Sequence, residues 1–440
     1  MTLPAILLPV LVTGCAGQPA VFDVVATVDP EIATVVHVTW TTTEPEADRV
    51  VFGSTDAYGL ATPPESAETT RHEATLLGVT ADTDVHYSVV GATESSVDAV
   101  VHTDPLPSYL PEFEVVSPME NAEMGPYLLT STITLTADES TIQLVTLAGE
   151  PVWYWRPDVG VVSVRPLVDG TGVYFIAEHT DDRSASTLTS VTWDGDVSEL
   201  ALPYAHHDAI ENPGGGWVTL VTVFQDVDGE RVAGDDIVEV SEDGSTRVVW
   251  DAFENLVVEQ NAGWDAGTVD GAADWTHANG ITYDSSDDSY VVSLYFTESV
   301  VKVDRLSGET AWQLGGTSSD FTFADGEAFG PQHAPQVTGG GLWLFDNSSY
   351  SRGSRLVEYS LDVASSEASL TWAWVTPDMD WTPVLGDVQR FDDGAVLSSW
   401  GLAGQVRAVS AEGDEAGELQ LEQGQTVGQV SVVAGFYPGG

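Results

Sequence analysis

The sequence predicts an all-β protein, a six-bladed β-propeller preceded by a small β-sandwich. Three observations carry this. Val, Thr, Trp and Tyr dominate the apolar stretches, and long Leu/Ala/Glu/Lys runs of helical type are missing. Turn formers are abundant, with 42 Gly and 22 Pro. From about residue 113 onward one unit recurs, a tight turn followed by a strand rich in Trp or Val.

The chain opens on a short apolar run, Pro4 to Val12, followed by Val12-Thr13-Gly14-Cys15. The run is too short to span a bilayer, which takes about 20 apolar residues. It has the length of a signal-peptide core, and the four residues resemble a bacterial lipobox. Residues 1–15 are therefore expected to be a lipoprotein signal peptide. Cys15 would be the lipid-bearing residue of an exported protein held on a periplasm-facing membrane or the cell surface. Met1-Thr2-Leu3 lacks the usual basic residue. Cys15 is the single cysteine, so no intrachain disulfide can form.

Residues 20–104 read as the sandwich. Val35-Val36-His37-Val38-Thr39-Trp40-Thr41-Thr42 alternates with period two. Arg49–Gly53, Glu73–Val79 and Val85–Val90 follow as further short strands separated by turns. The spacing of Leu77, Thr83 and Tyr87 resembles the tyrosine-containing turn of fibronectin type III-like domains. His37, His72, His86 and His102 are scattered here and read as structural. Pro105-Leu106-Pro107 and Pro111 mark a linker over 105–112.

Residues 113–437 carry the repeat. Its turns are Leu147-Ala148-Gly149-Glu150, Trp193-Asp194-Gly195-Asp196, Glu242-Asp243-Gly244-Ser245, Leu306-Ser307-Gly308-Glu309, a longer version from Leu361-Asp362, and Ala411-Glu412-Gly413-Asp414. Turns of this kind close hairpins, and six units over this length suit four-stranded blades.

A second repeat places a polar residue before a strand, a turn and another strand. It begins at Arg165, His207, His277, His333 and Asp387. A residue at the start of a blade's innermost strand faces the propeller axis. These five are therefore expected to form one ring at the channel mouth, a convergent titratable site. Strand alternation turns His206 to the face opposite His207, and His179 falls in a loop.

Acidic residues outnumber basic ones 69 to 13, for a net charge of −56, and Lys302 is the single lysine. Such a surface repels phosphates, which excludes nucleic acids as partners. An anionic substrate would need local cations or N–H donors. Three histidines and an aspartate are the right ligand types for zinc, although the paired helical spacings of zinc proteases are absent. Asp226-x-Asp228-Gly229 and Asp284–Asp288 lack the full ligand set of a calcium loop and read as hairpin tips. Gly-x-Ser-x-Gly is absent, so a hydrolase triad is not supported. Neutral imidazole remains a good nucleophile and acid–base group near neutral pH.

Several stretches together resemble the bacterial arylsulfate sulfotransferases. They are Asp274-Trp275-Thr276-His277-Ala278-Asn279-Gly280, Val301-Lys302-Val303-Asp304, Trp312-Gln313-Leu314-Gly315-Gly316, Gln332-His333, Phe345-Asp346-Asn347, Arg352-x-x-Arg355-x-x-x-Tyr359 and Gly386-Asp387-Val388-Gln389-Arg390. The likeness covers roughly residues 113–437 and implies a six-bladed propeller behind a β-sandwich. It implies that His333 is the nucleophile and becomes transiently sulfated, with His277 and Asn279 giving acid–base or sulfate-binding help and His207 joining from the earlier blade. The implied reaction passes a sulfuryl group from a phenolic sulfate to a phenolic acceptor, with no nucleotide sulfate, cofactor or metal. The family pattern has an arginine where this chain has Tyr295, and a phenol lacks a guanidinium's permanent charge and fork. Arg165, Arg352 and Arg355 are the candidates to replace it. Two other readings stand beside this one: a non-catalytic surface lipoprotein that uses the propeller as a binding platform, and a metal-dependent hydrolase or lyase built on the same histidines.

Overall fold

The structure is a computed structural model that describes residues 20–437, except 92–93, 120–123, 135–138, 180–181, 267, 339 and 349–350. The lipobox and Cys15 lie outside the described residues. Two compact units divide the chain, with the break between Asp104 and Pro105; the short segment Pro30–Thr34 groups with the second.

In the first unit the strands Val21–Val28, Val36–Glu46 and Thr69–Leu76 form one antiparallel sheet. Leu60–Ala61, Arg49–Gly53, Asp84–Val90 and Ala99–His102 form another. The alternation read at Val36–Trp40 is real: Val36, Val38 and Trp40 are buried, and Thr39 is exposed. The four histidines are tied down locally. His72 stacks flat on Trp40, with ring centroids 4.9 Å apart. His37, His86 and His102 pair with Asp29, Asp98 and Asp84.

The second unit holds six sheets, mostly antiparallel and each of at least four strands. Within each, the recurring turn joins the third strand to the fourth. Examples are Thr187–Thr192 to Val197–Ala201 and Ser299–Asp304 to Thr310–Gly315. The second repeat joins the innermost strand to its neighbour, as in Ala278–Asp284 to Ser289–Leu294 and Gln332–Thr338 to Gly341–Asp346. Inner strands touch from one sheet to the next in a closed circle, as a propeller requires. Both ends of the unit close it. The C-terminal Gln425–Val433 pairs with Tyr127–Thr134 as the innermost strand of the first sheet. Phe113–Ser117 pairs with Glu415–Leu421 at the outer edge of the last. This explains why the inner repeat shows five copies in sequence and the outer one six: the first sheet's inner strand comes from the other end of the chain.

The tryptophans after the turns bind neighbouring sheets together. Trp153 Nε1 donates to the carbonyl of Trp193 at 2.9 Å, Trp250 Nε1 to Thr310 Oγ1 at 3.0 Å, and Trp374 Nε1 to the carbonyl of Gly413 at 3.0 Å. Each links an outer strand to the following sheet's outer hairpin, burying a large apolar ring while satisfying its one donor. Burial of each such side chain contributes roughly 2–3 kcal/mol. The acidic hairpin tips are also used structurally: Lys302 Nζ bridges Asp284 and Asp287 at 2.6 and 2.7 Å.

Asp236, in the long strand Glu230–Val240, is the opposite case. It is buried, and its Oδ1 has no hydrogen-bond partner among the described residues. Burial, then the charges of Asp251 and Asp235, push its carboxyl up to about 7. A raised carboxyl pKa means that stability is lost as pH climbs from the unfolded value near 4 through 7. Asp236→Asn is therefore expected to raise the melting temperature at pH 8, by about 1–3 kcal/mol of stability, with the gain vanishing near pH 4. Thermal melts of both proteins at the two pH values check this; an equal shift at both would refute it.

Candidate functional site

The inner strands of three successive sheets share a defect. The pairing register slips between His206 and Ala209, between Ala278 and Gly280, and between His333 and Gln336. Around these bulges His207, His277 and Ala334 take left-handed backbone conformations, with φ of 57°, 51° and 50°, and Leu385 follows at 60°. Such conformations are costly for residues other than glycine and collect at functional sites. A bulge re-aims the side chains beside it. Here it aims them at one cavity, lined by Ser163, His207, Asp208, Asn279, His333 and Gln429 among others.

Each of three histidines has a different partner on Nδ1, and the partner sets its state. His333 Nδ1 lies 2.7 Å from Asn347 Oδ1. The Asn347 amide is itself locked, since its Nδ2 donates to the carbonyls of Thr382 and Leu385 at 2.8 Å each. Its Oδ1 must therefore accept, so His333 carries its proton on Nδ1 and a lone pair on Nε2. That lone pair meets only a long contact of 3.2 Å from the Leu385 N–H. Burial, with the Asn347 bond opposing and His277 adding to it, brings the His333 pKa down to about 4. At neutral pH it is uncharged.

His277 is paired with a carboxylate, Asp274 Oδ2, at 2.7 Å. Burial works against its charged form, but the hydrogen bond and charge of Asp274, helped by Asp235 and Glu178, outweigh this and raise its pKa. It is the group in the cluster best suited to hold a positive charge. Its ring packs 4.8 Å from His207, 5.7 Å from Tyr295 and 5.1 Å from Phe296, centroid to centroid.

His207 is paired with another imidazole: His206 Nδ1 and His207 Nδ1 are 2.9 Å apart. Burial and the neighbouring His277, His206 and His333 hold its pKa well below the usual value. The expectation that His206 faces away from His207 fails, because strand alternation is broken at the bulge. His206 is buried against Asp235 Oδ1 at 2.9 Å, while His207 lines the cavity.

Asn279 donates its Nδ2 to the Gln332 carbonyl at 2.7 Å, and its buried Oδ1 has no hydrogen-bond partner among the described residues. Tyr295 stands between His277 and His333, 5.3 Å from the latter ring. Its hydroxyl donates to the Pro383 carbonyl at 2.6 Å, and burial, then Glu298, raises its pKa. Gly386, between Leu385 and Asp387, has φ 109°, and a Cβ there would overlap the Phe345 ring.

A model of the arylsulfotransferase (ASST) family matches residues 148–435, more than half of the chain. The chain belongs to the arylsulfotransferase family. A search of curated proteins found no match. Among solved structures, a protein of unknown function from Bacteroides caccae is 13% identical, with 68% of this chain and 94% of that chain covered and a TM-score of 0.43. Virginiamycin B lyase from Staphylococcus aureus is 13% identical, covering 73% and 100%, TM-score 0.40. The Cps50 (Swd1) β-propeller domain of Myceliophteria thermophila is 11% identical, covering 73% and 99%, TM-score 0.40. These likenesses are too loose to bear on function.

For this arylsulfotransferase the single ring expected from the sequence needs correction. His207, Asn279, His333 and Asp387 line one cavity, whereas Arg165 lies one or two residues further along the inner strands, in a second cavity that it shares with Asp208 and Asp387. His277 lines neither and approaches from the side, because it precedes its strand while His333 and His207 lie inside theirs. Asp387 accepts from the Val430 N–H at 3.1 Å, and burial, eased by Arg165, pushes its carboxyl up to about 6.

The candidate replacements for the missing arginine also fail. Arg165 makes a bidentate pair with Asp208, at 3.0 and 2.9 Å. Arg355 donates from Nε and Nη2 to one oxygen of Asp346, Oδ2, at 2.9 and 2.5 Å, and Arg352 is exposed on a loop. Among the described residues no lysine or arginine lines the cavity with His333. Four residues given no role from the sequence prove central: Asn347, Asp274, His206 and Asp235. Asp274 and Asn347 stood inside the quoted motifs. Nothing in the sequence pointed to Asp235. Among the described residues no group of three or more His, Cys, Asp or Glu is arranged to hold a metal.

Proposed function

We propose that the chain moves a sulfuryl group from a phenolic sulfate ester to a phenolic acceptor in two steps through sulfated His333. The observation that carries this is the His333–Asn347 pair in the cavity wall, which leaves on the uncharged ring an Nε2 lone pair engaged by nothing stronger than the 3.2 Å bond from the Leu385 N–H. In the first step Nε2 attacks sulfur, the aryl O–S bond breaks, and the phenol leaves with a proton. In the second an acceptor phenol attacks the same sulfur, the N–S bond breaks, and the acceptor gives up its proton. Charge builds on the transferred SO3 in both steps. His277, whose charged form Asp274 favours against burial, is the group that stabilises it, in place of the arginine. Positioning in the cavity supplies much of the remaining advantage. No nucleotide sulfate or metal enters the scheme.

The test is phenol release from 4-nitrophenyl sulfate with and without added phenol, together with capture of sulfur-35 on the protein. The expected result is acceptor-stimulated turnover and an acid-labile label on His333. Folded protein that releases no phenol from a panel of aryl sulfates would overturn the reading. The lipobox resemblance further supports an exported protein anchored through Cys15 to a periplasm-facing membrane or the cell surface. Labelled palmitate should enter the wild type in cells and not Cys15→Ser; equal labelling would reject that.

A further inference from the structure

Asp235, His206 and His207 form a continuous buried chain that ends at the cavity. Asp235 Oδ2 accepts from Thr276 Oγ1 and from the Ala278 N–H, each at 2.7 Å. Its Oδ1 meets His206 Nε2 at 2.9 Å and Thr222 Oγ1 at 3.4 Å. His206 Nδ1 then meets His207 Nδ1 at 2.9 Å. Resting on the sulfuryl-transfer reading above, we propose that Asp235 and His206 are a proton store for His207, which lends a proton to the departing phenol and recovers it from the incoming one.

The geometry allows two states and no others of comparable energy. A carboxylate with this many donors stays ionised, and Asp235 is indeed held below the usual range: burial opposes this, but His206 and the other donors prevail. His206 therefore always carries a proton on Nε2. Only one proton fits between the two Nδ1 atoms. When His206 is neutral its Nδ1 accepts, His207 donates from Nδ1, and the outward His207 Nε2 is a bare base. When His206 is an imidazolium it donates from Nδ1, and the outward His207 Nε2 bears a proton. His207 is uncharged in both states and switches between acid and base. Around it stand His277, His333, Arg183 and Glu178, the last with Oε2 3.9 Å from Nδ1. Burial and the neighbouring His277, His206, His333 and Arg183 disfavour a charge on His207, whereas the ionised Asp235 carboxylate lies against His206 Nε2 at 2.9 Å.

The protons balance over the cycle. As the aryl O–S bond breaks and the His333 N–S bond forms, the phenol oxygen takes the His207 Nε2 proton. His206 passes its Nδ1 proton to His207 Nδ1 and becomes neutral. In the return step the acceptor O–H gives its proton to His207 Nε2, and the Nδ1 proton goes back to His206. The sum is zero, so no buffer proton has to reach the buried site. Asp235 and His206 act through His207 and are positioning residues.

The test is a leaving-group series in single turnover, from 4-nitrophenyl sulfate to 4-methylphenyl sulfate, for the wild type, His206→Gln and Asp235→Asn. A nitrophenolate leaves without help; a methylphenolate needs the proton. Both variants should stay within about 10-fold of wild type on the nitrophenyl ester and fall by about 100-fold or more on the methylphenyl ester. An equal loss across the series would show a merely structural role and overturn the proposal. Wild type inactive on every ester would overturn this proposal and the transferase reading together; wild type active with unchanged variant slopes would overturn this one alone. Nitrogen-15 shifts of the wild-type imidazoles give a second readout that needs no variant. His207 should be neutral before and after sulfation, with its proton moved from Nε2 to Nδ1. A cationic or unchanged His207 would overturn the proposal.

Discussion

His333→Ala is expected to lower turnover of an aryl sulfate by about 10⁴-fold or more, because it removes the atom that forms the covalent intermediate. The sharper form of this prediction concerns Asn347. In the proposed scheme His333 attacks uncharged: burial holds its pKa down against the opposing Asn347 hydrogen bond, and that bond fixes the proton on Nδ1. With a pKa of about 4, the reactive form is lost only as pH falls through 4. The rate of the first step should therefore rise with pH to about 5 and then level off. Asn347→Asp puts a carboxylate at the same contact, favours the imidazolium, and raises that pKa. Its acid limb is expected to move up by about one to two pH units, and the plateau above it to fall, because a carboxylate oxygen replaces the Nδ2 donor facing the Thr382 and Leu385 carbonyls. A pH profile of the single-turnover rate reads both. An acid limb that stays in place in Asn347→Asp would refute the assignment of His333 as the neutral nucleophile.

Asp274→Asn is expected to have the next largest effect, through His277. The Asp274 carboxylate opposes the burial that would discharge His277. A histidine whose pKa is raised keeps its charge up to that raised value and loses it as pH climbs through it. Wild-type activity should thus persist to a pH above the ordinary histidine range and decline beyond it. In Asp274→Asn burial is unopposed, the pKa falls, and the alkaline limb moves to lower pH. At pH 8 the loss in kcat/KM should be about 100-fold, shrinking as pH is lowered. A uniform loss at all pH values would show that Asp274 matters only for folding, and sulfate binding would have to be credited to another group.

Local rules made much of this chain readable. Hairpin turns such as Asp243-Gly244 and Ser307-Gly308 depend on a few adjacent residues, so their positions could be read directly, and with them the repeat. His207, His277 and His333 fell at the start of inner strands as read, since that placement too is local. The reading failed where the bulges begin. Alternation separates His206 from His207 in an ideal strand, but the slip between His206 and Ala209 turns both imidazoles toward each other. The single ring gave way as well: Arg165 stands at another level of the channel, His277 at its side, and Asp387 lines both cavities. Arg165 and Arg355 looked free in sequence. Each is neutralised by a carboxylate from a neighbouring strand, Asp208 and Asp346.

The sequence by itself determined the all-β class, the repeating unit and which histidines share the inner strands, because strand periodicity and turn chemistry act over two to five residues. Only the tertiary structure decided what each histidine is. His333 is kept neutral by burial, with Asn347 fixing its proton on Nδ1, His277 is favoured in its charged form by Asp274, and His207 is coupled to Asp235 through His206. These states follow from burial and from partners brought up by other strands and loops. Imidazole has a pKa close enough to neutrality that such partners, rather than the residue itself, choose its form.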